Sequence, residues 1–140
     1  MRIGGLAKAA GTTVRTVRYY EEIGLLPIDA RVAGEHREYD ETDVERLREL
    51  LRLKGLLGLS LDELRDVMVG EAARVERRRV WRESSDAAER KRIVREALAQ
   101  TDSLLELVRR RTAELATFEA ELNERRQQQV HLLRELGERV

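Results

Sequence analysis

Apolar side chains recur at spacings of three and four along almost the whole chain, the period of helices that bury one face. The first such run, Leu6-Ala7-Lys8-Ala9-Ala10-Gly11, is alanine-rich and ends on a glycine. Ala7 is small enough to let a second helix come close, and Gly11 supplies a tight turn. The next run follows at once, capped by Thr12 or Thr13. In it Val14, Val17 and the ring of Tyr20 fall on one side, while Arg15, Thr16, Arg18 and Tyr19 fall on the other. Gly24 ends this helix and Pro27 forbids its continuation. Between Ile28 and Tyr39 the period changes. A turn at Gly34 and the strand-like order His36, Arg37, Glu38, Tyr39 predict a short two-stranded wing.

Two further helices complete a small head. Thr42-Asp43-Val44-Glu45 reads as a capping box opening a helix with Val44, Leu47, Leu50 and Leu51 inward, loosened at its end by Gly55 and Gly58. Ser60-Leu61-Asp62-Glu63 is a second box, followed by Leu61, Leu64, Val67 and Met68 as inward positions. Gly70 is read as a boundary, so residues 1–69 form one domain and 70–85 a helical connector. The connector carries Arg74, Arg77, Arg78, Arg79 and Arg82, a solvated face or a set paired with the acids of a neighbouring helix, with a second DNA-contacting patch as the lesser alternative. It also holds Trp81, which either anchors the segment by packing or lines a pocket for an apolar effector.

From Ser84-Ser85-Asp86 onward no proline and no glycine interrupts the chain until Gly137. Residues 86–140 therefore read as one long helix and its tail. Val94, Thr101, Val108, Leu115, Leu122, Gln129 and Leu136 stand seven apart, and Ala97, Leu104, Arg111, Phe118, Arg125 and Leu132 form the offset series. Leu98, Leu105 and Leu133 widen the seam. One helix cannot bury such a seam alone, so a coiled coil with a second chain is expected. Val94, Leu98, Thr101, Leu104, Leu105, Val108, Leu115, Phe118 and Leu122 are its dimerisation residues, and the polar interruptions fix register. The fold class is thus all-α in the main: a winged helix-turn-helix head, a helical segment and a coiled-coil dimerisation helix.

Composition narrows the function. Charged residues are 39% and aromatics 4% of the 140 residues, which suits long surface-rich helices. There is no cysteine, so disulfides, thiolate metal sites, iron–sulfur clusters and cysteine nucleophiles are excluded. No paired histidines, phosphate loop or glycine-rich fingerprint is present, so no enzyme, cofactor or metal is expected. No apolar run is long enough to span a bilayer, and a cytoplasmic protein is expected. Lys plus Arg equals Asp plus Glu at 27 each, which argues against a general polyanion binder. Yet from Met1 to Tyr20 the ionisable side chains are Arg2, Lys8, Arg15 and Arg18, with no acid. A second helix with that basic face, set after a tight turn, is the pattern of a helix-turn-helix entering the DNA major groove.

The residues Ile3-Gly4-Gly5-Leu6-Ala7-Lys8-Ala9-Ala10-Gly11, then Val14 through Pro27, then Arg31, Arg37-Glu38-Tyr39-Asp40 and Gly58 through Leu64, closely resemble the start of MerR-family transcription regulators. The resemblance covers residues 1 to about 69, with Gly5 where many relatives carry an acid. It implies a homodimer on a palindromic promoter operator, joined by an antiparallel helix pair. It also implies distortion of promoter DNA in front of RNA polymerase. Thr13, Arg15, Thr16, Arg18 and Tyr19 would then read or grip the duplex, and Arg31, Arg37 and Tyr39 would clamp its flanking backbone. The competing expectation is a coiled-coil interaction module whose head binds protein. In residues 1–69 Lys plus Arg number 11 and Asp plus Glu 13, which keeps that alternative open. A small-molecule effector is left open too. His36 reads as a bystander and His131 as a solvated helix residue.

Overall fold

The computed structural model describes residues 1–26 and 37–139. It contains helices α1 (Ile3–Ala10), α2 (Val14–Glu22), α3 (Glu41–Leu57), α4 (Leu61–Glu83) and α5 (Ala87–Glu135), and no strand among the described residues. Most of the expected wing, with Arg31, Gly34 and His36, lies outside them. Two compact units are formed, Met1–Ala97 and Leu98–Val140.

In the first unit, α1 packs on both α2 and α3, and α3 packs on α4. Leu6, Ala7, Val17, Tyr20, Val44, Leu47, Leu50, Leu64 and Met68 form its core, joined by Leu25, Leu26 and Tyr39. The helical spacing seen in the sequence accounts for most of these. Leu61 is an exception. It stands first in α4, beside the cap, and remains exposed. Leu53 is buried where the sequence stripe named Leu51, which is only partly covered.

The turns follow from residue type. Gly11 closes α1 in the left-handed region at φ 75°, a conformation that costs an L side chain about 1–2 kcal/mol. Thr13, not Thr12, caps α2 by accepting the Thr16 amide at 3.2 Å. α1 lacks a side-chain cap and an acid in its first turn, as Gly5 in place of an acid implies.

Two boundaries differ from the expectation. α3 opens on Asp40, whose carboxylate accepts the Asp43 amide at 3.1 Å while Asp43 accepts the Asp40 amide at 2.9 Å. The capping box therefore lies two residues ahead of Thr42. α4 also passes through Gly70 without a break. A helical glycine costs roughly 1 kcal/mol relative to alanine, too little to interrupt a helix favoured on both sides. The capping box at Ser60 and Glu63 forms as read. α5 begins after Asp86, which accepts the Ala88 amide at 3.1 Å, and closes before Gly137 at φ 92°.

Candidate nucleic-acid interface

The basic face of α2 is presented by the packing of its other face. Val17 and Tyr20 are fully buried, which leaves Arg15, Arg18 and Tyr19 exposed, Tyr19 at 45%. Thr16 is partly covered and Thr13 exposed. The two threonine hydroxyls are 3.0 Å apart, Thr13 donating to Thr16, so the start of α2 is held by the same oxygens expected to face a ligand. No acid lies in the first turn of α2, and its helix N-terminus adds positive potential there.

Long basic side chains from elsewhere fix the motif. Arg48 of α3 donates to the Ala9 carbonyl at the end of α1 (2.8 Å), and Arg65 of α4 donates to the Ile23 carbonyl at the end of α2 (2.8 Å). Lys54 donates to the Tyr20 hydroxyl at 2.9 Å and sits 5.4 Å from its ring centre. Cations at helix C-termini satisfy carbonyls that the helix leaves without partners. The sequence names none of these three, because each bridges 34 to 42 residues.

Arg37 and Tyr39, expected to clamp the DNA backbone with the Tyr39 ring packed on the domain, both have partners inside the head. Arg37 pairs with Glu21 of α2, and their side chains are only 11% and 10% exposed. The Tyr39 hydroxyl donates to both Glu21 oxygens at 3.1 Å, and the Arg37 guanidinium lies 5.0 Å from the Tyr39 ring centre. Burial, and then the Glu21 charge, push the Tyr39 phenol above its ordinary pKa. The physical reason is that Glu21 is nearly buried and needs countercharge, which these two neighbours supply. The backbone is locked alongside: the Met1 amino group donates to the Tyr39 carbonyl and the Tyr39 amide to the Met1 carbonyl, each at 2.7 Å. Met1 and Arg2 also pair with Glu38, which the Met1 ammonium holds below the usual carboxylate pKa.

In the second half of α4, Arg74 pairs with Glu71, and Arg79 with Glu76 and Glu83, so these partners stand on the arginines' own helix and not on a neighbouring one. Trp81 is 38% exposed, with the Arg90 guanidinium 4.5 Å from its ring centre. Arg90 also donates to the Ser84 and Trp81 carbonyls at 3.0 and 3.3 Å, so the stack braces the turn between α4 and α5. Among the described residues no group of three or more His, Asp or Glu could hold a metal ion, and no helix is long and apolar enough to cross a membrane.

A short helix, a tight turn and a second helix with an exposed basic face, supported by two more helices, define a helix-turn-helix regulator of transcription. Residues 1–71 match the family model described as MerR HTH family regulatory protein. The chain is 34% identical over 122 residues to the HTH-type transcriptional regulator YfmP of Bacillus subtilis (strain 168), over 87% of each chain. It is 37% identical over 124 residues to the mercuric resistance operon regulatory protein of Pseudomonas fluorescens, 89% of this chain and 73% of that one. Among solved structures it is similar to the transcription regulator PbrR691 from Ralstonia metallidurans CH34 in complex with lead(II). That match has 35% identity and a TM-score of 0.48, over 91% of this chain and 85% of the other. The chain belongs to the MerR family of DNA-binding transcriptional regulators. The family match and the two regulators similar over most of the chain support a head that binds DNA over one that binds protein.

Proposed function

We propose that the chain acts as a homodimer on a palindromic promoter operator and controls transcription by distorting the DNA in front of RNA polymerase. The observation that carries this reading is the face of α2. Arg15, Arg18 and Tyr19 project together from a helix whose opposite face is locked in the core. Arg18 and Arg15 supply charge-assisted bonds to base edges or phosphates, and Tyr19 combines a hydroxyl contact with van der Waals contact. Thr13 and Thr16 add short hydroxyl contacts. Arg37 and Tyr39 are assigned to positioning: through Glu21 they hold the segment ahead of α3 against α2. Arg31 lies outside the described residues and keeps its role as a backbone clamp in this proposal.

The dimer rests on the exposed apolar row of α5. Val94, Leu98, Leu105, Val108, Leu115, Phe118 and Leu122 are all exposed in the single chain. A twofold dimer presents equivalent heads to the two halves of an inverted repeat. The mercuric regulator named above is a metal-resistance protein, but a chain without cysteine has no thiolate to offer a soft metal. The signal is therefore assigned to something other than thiolate coordination, in a cytoplasmic, non-enzymatic protein without a resident cofactor.

Arg18→Ala is the direct test. Loss of a good base contact costs about 1–3 kcal/mol, so specific binding should fall by roughly one to two orders of magnitude. The dimer should persist by sedimentation. Unchanged affinity for the operator would overturn the assignment of α2 as the reading element.

A further inference from the structure

Trp81, Ala87, Arg90, Lys91, Val94 and Arg95 line an open depression of about 480 Å³ at the start of α5. Its apolar floor is bare, with Trp81 38% and Val94 51% exposed. We infer that Phe118 and Leu122 of a second copy of this chain fill it, in an antiparallel pairing of α5 centred between Leu104 and Val108. This inference rests on the homodimer reading and adds its register.

The seam itself selects the arrangement. A parallel pair in register sets Arg111 against Arg111 and Arg125 against Arg125, like charges in layers that exclude water. Antiparallel pairing removes both clashes, and its registers differ by whole heptads. In one of them Leu104 meets Val108 of the second copy, Ala97 meets Leu115, Val94 meets Phe118, and Thr101 meets Arg111. Apolar residues face apolar ones and polar faces polar in every layer from 94 to 118. Leu105 and Leu107 meet their own counterparts beside the twofold axis, and Lys91 stands opposite Glu119 at the seam's edge. Leu122 then lies over the Trp81–Arg90 stack.

The neighbouring registers sort worse. A slide of one heptad toward the tail puts Val108 on Arg111 and Thr101 on Phe118. A slide of two puts Arg111 on Leu115 and Ala97 on Gln129. A slide the other way puts Val94 on Arg111 and Thr101 on Leu104. Because Val94 belongs both to the seam and to the floor of the depression, the two surfaces are continuous. Val94 and Phe118 lie on one continuous helix and cannot meet within a chain, so the occupant is a second copy.

The chain has no cysteine and a single tryptophan, which makes the test clean. The double variant Val94→Cys/Phe118→Cys should give a severalfold excess of disulfide-linked dimer under mild oxidation over Val94→Cys/Arg125→Cys and Val94→Cys/Leu132→Cys, which report the two slid registers. In the full-length dimer Trp81 emission should shift to the red on Leu122→Ser. Preferential crosslinking of either slid pair would overturn the register. Emission unmoved by Leu122→Ser would overturn Leu122 as the cover and leave the depression to another occupant. Sedimentation of the unmodified chain as a monomer would instead defeat the homodimer reading itself, so the two failures are distinguishable.

Discussion

Glu21 shows how a single residue connects α2 to the segment directly ahead of α3. Its carboxylate is nearly buried and is met by the Arg37 guanidinium and the Tyr39 hydroxyl. Glu21→Gln keeps the shape but removes the carboxylate charge that Arg37 and Tyr39 share, and loss of a charge-assisted bond in a nearly buried site costs about 1–3 kcal/mol. Denaturant unfolding of the head should show that loss; a change below about 0.5 kcal/mol would mean that the pair is solvent-screened. The phenol adds a pH dependence. Tyr39 has a raised pKa in the folded chain, so its contribution to stability is whole below pH about 10 and is lost as pH rises through the higher folded value. Stability of Tyr39→Phe should fall less steeply than the parent's above pH about 10, and parallel curves would contradict the coupling. The sequence made Arg37 and Tyr39 legible beside the site, with the Tyr39 ring packed on the domain, but not their tie to Glu21. Their partner lies 16 and 18 residues away, and spacing within one element cannot reveal which way such a side chain turns.

At the scale of elements, helices were legible wherever a buried stripe and a cap coincide, as in α2 and at Ser60. They were less legible where the signals overlap. Asp40 to Asp43 and Thr42 to Glu45 both spell a capping box, and the first forms, bringing Tyr39 into the core directly ahead of α3. Gly70 failed as a boundary because helix on both sides outweighs one glycine's cost. Glycine's two roles can be separated experimentally. Gly55 lies inside α3 with open space where a Cβ would stand, so Gly55→Ala should stabilise the head by about 0.5–1 kcal/mol. Gly11 has equal room but a left-handed backbone, so Gly11→Ala should destabilise it by about 1–2 kcal/mol. Thermal unfolding of both variants checks the signs, and a stabilising Gly11→Ala would show that the turn relaxes.

For the whole molecule, the sequence displayed a seam that one chain cannot bury, and the structure leaves that row bare along α5. Leu115→Asp places a charge in the proposed dimer layer. Sedimentation should then show a monomer, with helical content of the head retained and operator binding lost, since one head meets one half-site with only half the contacts. A dimer that survives would mean that the interface lies elsewhere. A basic helix face that reads DNA as a symmetric pair on a neutral chain leaves a signature in selection of bound sites from random duplex DNA at two salt concentrations. The unmodified chain should enrich an inverted repeat that Arg18→Ala does not, with affinity falling as salt rises. If the folded, dimeric chain enriches no motif, the head does not read DNA sequence.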